Sequence, residues 1–257
     1  MGYGFKIIAE GDYACFTRPE FKVERVSYDV PTPGALEGML KNLYWKPSVR
    51  YVIDQIIVFN PFNSINIKRN EVKNKILQSA LKRQMEGKGG DPRIYAASES
   101  ERSQRSSSML KDVKYGIAFH FELTGLCDEE SKSREESEKK HYNIIKRRLE
   151  KGQYYRMPYF GCSELTVNKI ELVDAFDESL ISSEIKNMGD VDLGFMSYRV
   201  NFEDQGIPVN NDWENPVFSD KASTAFYHPH MVNGIIDVEK YRDTTYSDHI
   251  LHKCADV

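Results

Sequence analysis

Val113–Leu123 reads VKYGIAFHFEL, and Val113, Tyr115, Ile117, Phe119, Phe121 and Leu123 alternate with Lys114, Gly116, Ala118, His120 and Glu122. Period two with one apolar face predicts a half-buried β-strand. Downstream, a charged stretch (DEESKSREESEKK) leads into a helix expected from Glu138 to Lys151. Tyr142, Ile145 and Leu149 share its apolar face, and Gly152 suits its end. Leu165–Val173 supplies another strand. Upstream, Tyr51–Phe59 (YVIDQIIVF) is a strand ended by Asn60-Pro61. Before it, Leu36, Met39, Leu40 and Leu43 mark one face of a helix. Thr32 caps that helix, Pro33 fits its first position, and Pro47 stops it near Trp45. Phe5–Ala9 is the first strand.

Between Phe62 and Leu110 the chain is polar, with ten Lys/Arg against five Asp/Glu, and reads as a basic insertion or long hairpin. The order is therefore β-α-β-(insertion)-β-α-β, an α+β, ferredoxin-like pattern used by many RNA-recognition domains. This places residues 1–173 in one domain. Residues 174–257 carry the strand candidates Leu193–Phe202 and Phe226–Val238, the second with an Asn233-Gly234 hairpin signal. No helical periodicity appears there, so a small C-terminal antiparallel β-sheet region is expected.

The 257 residues are 40% hydrophobic and 29% charged, ordinary for a soluble globular protein. No apolar run suits a membrane helix, and the first residues lack a secretory signal. Cys15, Cys127, Cys162 and Cys254 show no C-x-x-C spacing, so free thiols in the cytoplasm are expected. P-loop, G-x-S-x-G and H-E-x-x-H motifs are absent. The net charge of −4 is uneven. Residues 171–257 hold 17 acidic and 6 basic residues, a net of −11, which leaves +7 on residues 1–170. A basic N-terminal part points to a polyanion partner, and two differently solvated surfaces is the plain alternative.

In the expected topology the first helix ends, and the second begins, at the same sheet edge. Tyr44 stands at that end and Lys140 and His141 at that beginning. Metal-free RNA cleavage requires a base for the 2′-hydroxyl, a donor or cation for the phosphorane, and an acid for the leaving 5′-oxygen. Histidine (pKa ~6.5) suits the proton transfers and lysine (~10.4) the charge. A tyrosine positions or donates. Without other information, a Tyr-Trp pair at a helix end is packing, and a Lys-His pair at a helix start is solvated surface. His120 reads as a structural histidine. His228-Pro229-His230 is a metal candidate that lacks carboxylates at a supporting spacing. The second helix carries Lys139, Lys140, Lys146, Arg147, Arg148 and Lys151, a stripe suited to phosphates or simply to water.

The segments SYDVPTPGALEGML, NLYWKP, NPFNSINIKRNEV, RSQRSSSMLKDVKYGIAFHFEL, KKHYNIIKRRLEKGQ, PYFGCSEL, DLGFM and VNGIIDV give the chain a resemblance over nearly its whole length. It resembles the CRISPR-associated type I-C processing nucleases, the D subtype of their family. The resemblance implies an endoribonuclease that cuts CRISPR repeat RNA at the 3′ base of its hairpin, without metal or other cofactor. It assigns catalysis to Tyr44, Lys140 and His141. It also implies retention of the crRNA 5′ handle within a surveillance complex containing backbone and large subunits. Lys46, Arg69, Arg105, Arg147 and Arg148 are candidate RNA contacts. The family's Gly-Cys-Arg-Glu-Phe stands here as Gly161-Cys162-Ser163-Glu164-Leu165, without the arginine, and Phe119 replaces a usual alanine. The competing readings are a non-catalytic subunit that caps the crRNA 5′ handle and a generic RNA-recognition module. The sequence leaves open whether the insertion meets RNA, double-stranded DNA or a neighbouring subunit.

Overall fold

The structure, a computed structural model, describes residues 4–21, 23–89, 91–125, 137–204, 207–212, 214–244 and 246–247. Cys127, Cys254 and most of the charged stretch before the second expected helix lie outside these residues. The fold is α+β, with mostly antiparallel sheet and few helices.

The strand at Val113–Leu123 is the inner half of a longer one, β5 (Arg102–Leu123). Its alternating apolar side chains from Val113 to Phe121 are buried, with Ile117 fully enclosed, and Leu123 at the strand end is exposed. β1 (Gly4–Ala14) and β3 (Val49–Val58) flank β5, both antiparallel, and β6 (Lys169–Val173) pairs antiparallel with β1. The strand order is β6-β1-β5-β3. Helix α1 (Pro33–Leu43) joins β1 to β3 and packs on β3. Helix α3 (Glu138–Glu150) joins β5 to β6 and touches both β6 and α1. Thr32 caps α1, accepting from the Ala35 N–H, and Ser137 caps α3 from its Lys140 N–H. The two-residue β2 (Arg25–Val26) runs parallel beside β5.

The basic insertion is a long hairpin. β4 (Asn63–Val72) pairs with the outer half of β5, and helix α2 (Gln78–Met85), which the sequence did not announce, lies towards its tip. β5 turns from sheet into hairpin at Asp112, whose φ is +55° and whose carbonyl accepts from the Asn60 amide at 2.7 Å.

Three expectations change. Helix α1 stops at Leu43, before Trp45, because Tyr44 is already extended (φ −154°, ψ 127°). The strand expected at Leu165–Val173 forms only from Lys169. Leu165 is taken by a loop in which Phe160 N–H donates to Leu165 O, and Asn168 N–H then opens the pairing onto Glu10 O. That loop needs glycine at Gly161: φ is +80°, and a Cβ there would lie 2.0 Å from Cys15 O. Third, the strands after residue 173 do not form one sheet. β7 (Asp190–Asp192), β10 (His230–Val232) and β11 (Ile235–Asp237) extend the main sheet, with β11 pairing to β3. The turn between β10 and β11 is Asn233-Gly234, both at positive φ as the dipeptide predicts. β8 (Met196–Phe202), β9 (Ala222–Tyr227) and β12 (Tyr246–Ser247) make a separate three-stranded sheet. A short helix, α4 (Ser183–Asn187), also appears there, capped by Ser182. One hydrophobic core runs through both parts of the chain, from Ile7 and Leu40 to Met196 and Ile236.

Candidate active site

The alternation of directions brings four chain segments to one edge: the end of α1, the start of β3, the end of β5 and the start of α3. Val49 pairs with Leu123, and Thr124 closes the corner, its N–H donating to Ser48 O at 3.0 Å and its hydroxyl to Pro47 O at 2.6 Å.

Tyr44 is fixed from several sides. Its N–H donates to Leu40 O at 3.2 Å, and its carbonyl accepts from the Tyr51 hydroxyl at 2.7 Å. Tyr51 is enclosed, and that burial pushes its phenol well above the ordinary tyrosine range, so it stays a donor. The Arg148 guanidinium stands 5.3 Å from the centre of the Tyr44 ring and also donates to Leu43 O. The Tyr44 hydroxyl points across to α3, where its oxygen lies 2.9 Å from His141 Nδ1. The other ring nitrogen, Nε2, lies 3.4 Å from Ser48 Oγ. His141 has 0% exposure and Tyr44 6%. The imidazole is therefore held between a phenol and a hydroxyl inside the contact of the two helices, with Phe121 edge-on at 6.4 Å. Which atom of each pair carries the proton depends on the tautomer.

The expected meeting of Tyr44 and His141 is thus present as a hydrogen bond. Lys140 adjoins His141 on the outer side of α3 and is partly exposed. The reading of Lys140-His141 as solvated surface fails for the histidine, which is core. Sequence reasoning passed over Ser48, Tyr51 and the exposed aromatics of this rim. Trp45 is exposed, and so is Tyr155, whose N–H donates to Asn42 O. A serine after a proline carries no signal of its own. An exposed Trp beside a helix end does, since nothing in a core requires it.

The candidate RNA contacts separate. Lys46 lies in the α1–β3 turn beside the site, and Arg147 is exposed on α3. Arg148 is occupied with Leu43 and Tyr44. Arg69 and Arg105 face each other in register on the hairpin, near the end of β5 opposite Leu123. Arg69 binds Glu164 at 2.6 Å, as Arg25 does at 2.7 Å, so Glu164 beside the arginine-lacking Ser163 ties β2 and β4 together. His120 sits 2.9 Å from Asp54, whose carboxylate also accepts from Arg242.

Among the described residues, one group has the composition to hold a metal: Asp192, His228 and His230. It lies apart from the α1–α3 edge. No helix of the described residues is long and apolar enough to cross a membrane.

Known proteins give this site a family. The Cas5d family, described as CRISPR-associated protein (Cas_Cas5), matches residues 6–239. The chain belongs to the Cas5d family. A member from Mannheimia succiniciproducens, named CRISPR pre-crRNA endoribonuclease Cas5d, is 36% identical over 231 residues, covering 90% of this chain and 92% of that protein. A second, of the same name from Thermus thermophilus, is 34% identical over 245 residues and covers 93% of both chains. A crystal structure of a CRISPR-associated protein superposes with a TM-score of 0.56 at 23% identity, over 92% of this chain and 91% of that one, which supports the shared fold.

Proposed function

We propose that this chain is a pre-crRNA endoribonuclease that cuts CRISPR repeat RNA through 2′-hydroxyl attack, with Tyr44, His141 and Lys140 as its working groups. The observation that carries this reading is the 2.9 Å contact of the Tyr44 hydroxyl with His141 Nδ1. The names of the relatives from Mannheimia succiniciproducens and Thermus thermophilus support the substrate. His141 moves the proton of the 2′-hydroxyl or the leaving 5′-oxygen. Tyr44, in front of it, orients the ribose and shares that proton. Lys140, at the rim, offsets the charge of the phosphorane. Each positioned acid or base contributes roughly 10²–10⁴-fold. Ser48 steadies the imidazole from behind.

The strand order β6-β1-β5-β3 with α1 and α3 supports a ferredoxin-like core over residues 1–173 with the C-terminal β region set against it. Exposed Arg147 and partly exposed Lys46 suit the RNA backbone, and Trp45 and Tyr155 offer faces for unpaired bases. The hairpin, remote from the site, suits contact with other subunits of a surveillance complex or with double-stranded DNA. A cytoplasmic setting fits the free thiols Cys15 and Cys162.

The test is cleavage of a cognate repeat RNA in excess EDTA, with and without a 2′-deoxy substitution at the cut site. The expected result is cut ribose RNA, uncut deoxy RNA, and no cleavage by His141→Ala. Tight binding without cleavage supports the capping subunit instead, and loss of cleavage in EDTA removes the metal-free mechanism.

A further inference from the structure

The main sheet and the three-stranded sheet meet where β9 passes into β10 through His228 and Pro229. There β10 pairs with β7, so His230 lies opposite Asp192, and Val232 opposite Asp190. The ladder continues past the strand ends, because Leu193 N–H donates to Pro229 O at 3.1 Å. Residues two apart on a strand share a face. The register therefore gathers Asp190, Asp192, His228 and His230, two acids and two imidazoles separated by about forty residues of sequence, into one exposed cluster.

We infer that Asp192, His228 and His230 bind a divalent transition metal of the zinc class at this joint, with Asp190 orienting His230. One nitrogen from each imidazole and one Asp192 oxygen lie within 4.8 Å of one another. Bonds of ~2 Å to a tetrahedral ion place ligand atoms about 3.3 Å apart. Small side-chain rotations therefore close the site. Each ligand is already held. Asp192 Oδ1 accepts from the Gly194 N–H at 2.8 Å and lies 2.6 Å from His228 Nε2. The His228 ring stacks on Phe195 with centroids 4.9 Å apart. His230 Nδ1 lies 2.8 Å from Asp190 Oδ1, the carboxylate–imidazole pairing that sets the tautomer and orientation of metal-binding histidines. Two imidazoles with one carboxylate favour zinc over calcium or magnesium, which prefer all-oxygen shells. A fourth position is left for water. The ion would tie β7 to the β9–β10 passage and so fasten the two sheets together, far from the Tyr44–His141 edge.

The experiment titrates the full chain, stripped of metal, with Zn²⁺ by calorimetry and with Co²⁺ by visible absorption. The same titrations are run on His228→Gln/His230→Gln and on Asp192→Asn. His249, His252 and Cys254 are also able to take metal, and they are unchanged in every variant, so the comparison isolates the joint. The wild type is expected to bind one equivalent more than the double variant, with four-coordinate Co²⁺ bands that the double variant lacks. Asp192→Asn should weaken binding at least about tenfold, and Asp190→Asn by about 10- to 100-fold. Zn²⁺ should raise the unfolding midpoint of the wild type and not of the double variant. Equal stoichiometry and affinity in wild type and double variant overturn the inference, as does a Co²⁺ spectrum unchanged by Asp192→Asn.

Discussion

The Tyr44 hydroxyl and His141 Nδ1, 2.9 Å apart, join the residue that ends one helix to the first turn of the other inside the protein core. In the proposed mechanism the same hydrogen bond serves both stability and chemistry. Removing the phenol oxygen with Tyr44→Phe leaves a buried imidazole nitrogen without its partner, which costs about 1–3 kcal/mol. On the proposed mechanism the same change also removes the hydroxyl that orients the ribose. Single-turnover cleavage should fall by roughly 10²–10⁴-fold, while repeat RNA is still bound. Urea unfolding and RNA affinity separate the two losses. Full cleavage by a destabilised Tyr44→Phe would remove the phenol from the mechanism.

Arg147 and Arg148 are neighbours with different work. Arg148 spends its guanidinium on Leu43 O and the Tyr44 ring, whereas Arg147 faces solvent. Arg148→Met should slow cleavage at saturating RNA by up to about 10²-fold, through a misplaced Tyr44. Its binding should keep the wild-type salt dependence. Arg147→Ala should leave that rate unchanged and lower the slope of log affinity against log salt by roughly 0.7–0.9. Filter binding across a salt series, paired with single-turnover rates, checks both. The assignment fails if the two variants exchange these signatures.

The strand at Val113–Leu123 was legible because a sheet with one buried face enforces strict alternation, and the start of the first helix was legible because Thr32 and Pro33 act locally. The hydrogen bond to His141 was not. A helix start rich in Lys and Glu looks solvated, and only the α1–α3 contact makes one position of it core. Ser48 and Tyr51 become site residues solely through pairing at the β3–β5 corner. The carboxylates facing His228 and His230 were hidden for the same reason. Asp190 and Asp192 reach them across the β7–β10 register, which no spacing along the chain reveals. The continuation of the main sheet by β11 likewise depends on β3 having a free edge, a property of the assembled sheet.

The hairpin and the Tyr44–His141 edge lie at opposite ends of β5. Val72 and Arg102 are paired, so a two-residue Asn-Gly turn can join them and remove residues 73–101 with α2. Because residues 73–101 lie past the Val72–Arg102 pair, at the end of β5 opposite the Tyr44–His141 edge, cleavage at saturating RNA should stay within about twofold of wild type. A drop much beyond tenfold would place part of the substrate on the hairpin. Binding titrations of the shortened chain would then show a matching loss of affinity.

Glu37 on α1 reaches Arg199 on β8, with Arg199 Nε 3.1 Å from its carboxylate, and so clamps the small sheet to the helix that carries Tyr44. Burial pushes the Glu37 carboxyl above the ordinary glutamate range, and Arg199 only partly pulls it back. In the window above that range (~4.3), the native chain holds a proton that the unfolded chain has released. The contribution of Glu37 is therefore fully present below the window, falls as pH rises through the raised value, and is flat beyond it. Glu37→Gln keeps an acceptor for Arg199 and cannot ionise. Its stability relative to wild type should rise with pH across the window and then level off. Urea unfolding of both proteins from about pH 4 to about pH 8 reads this difference directly, and cancels the carboxylates they share. Parallel curves, or a wild type that gains on Glu37→Gln as pH rises, would show that Arg199 outweighs burial and holds Glu37 below its ordinary value.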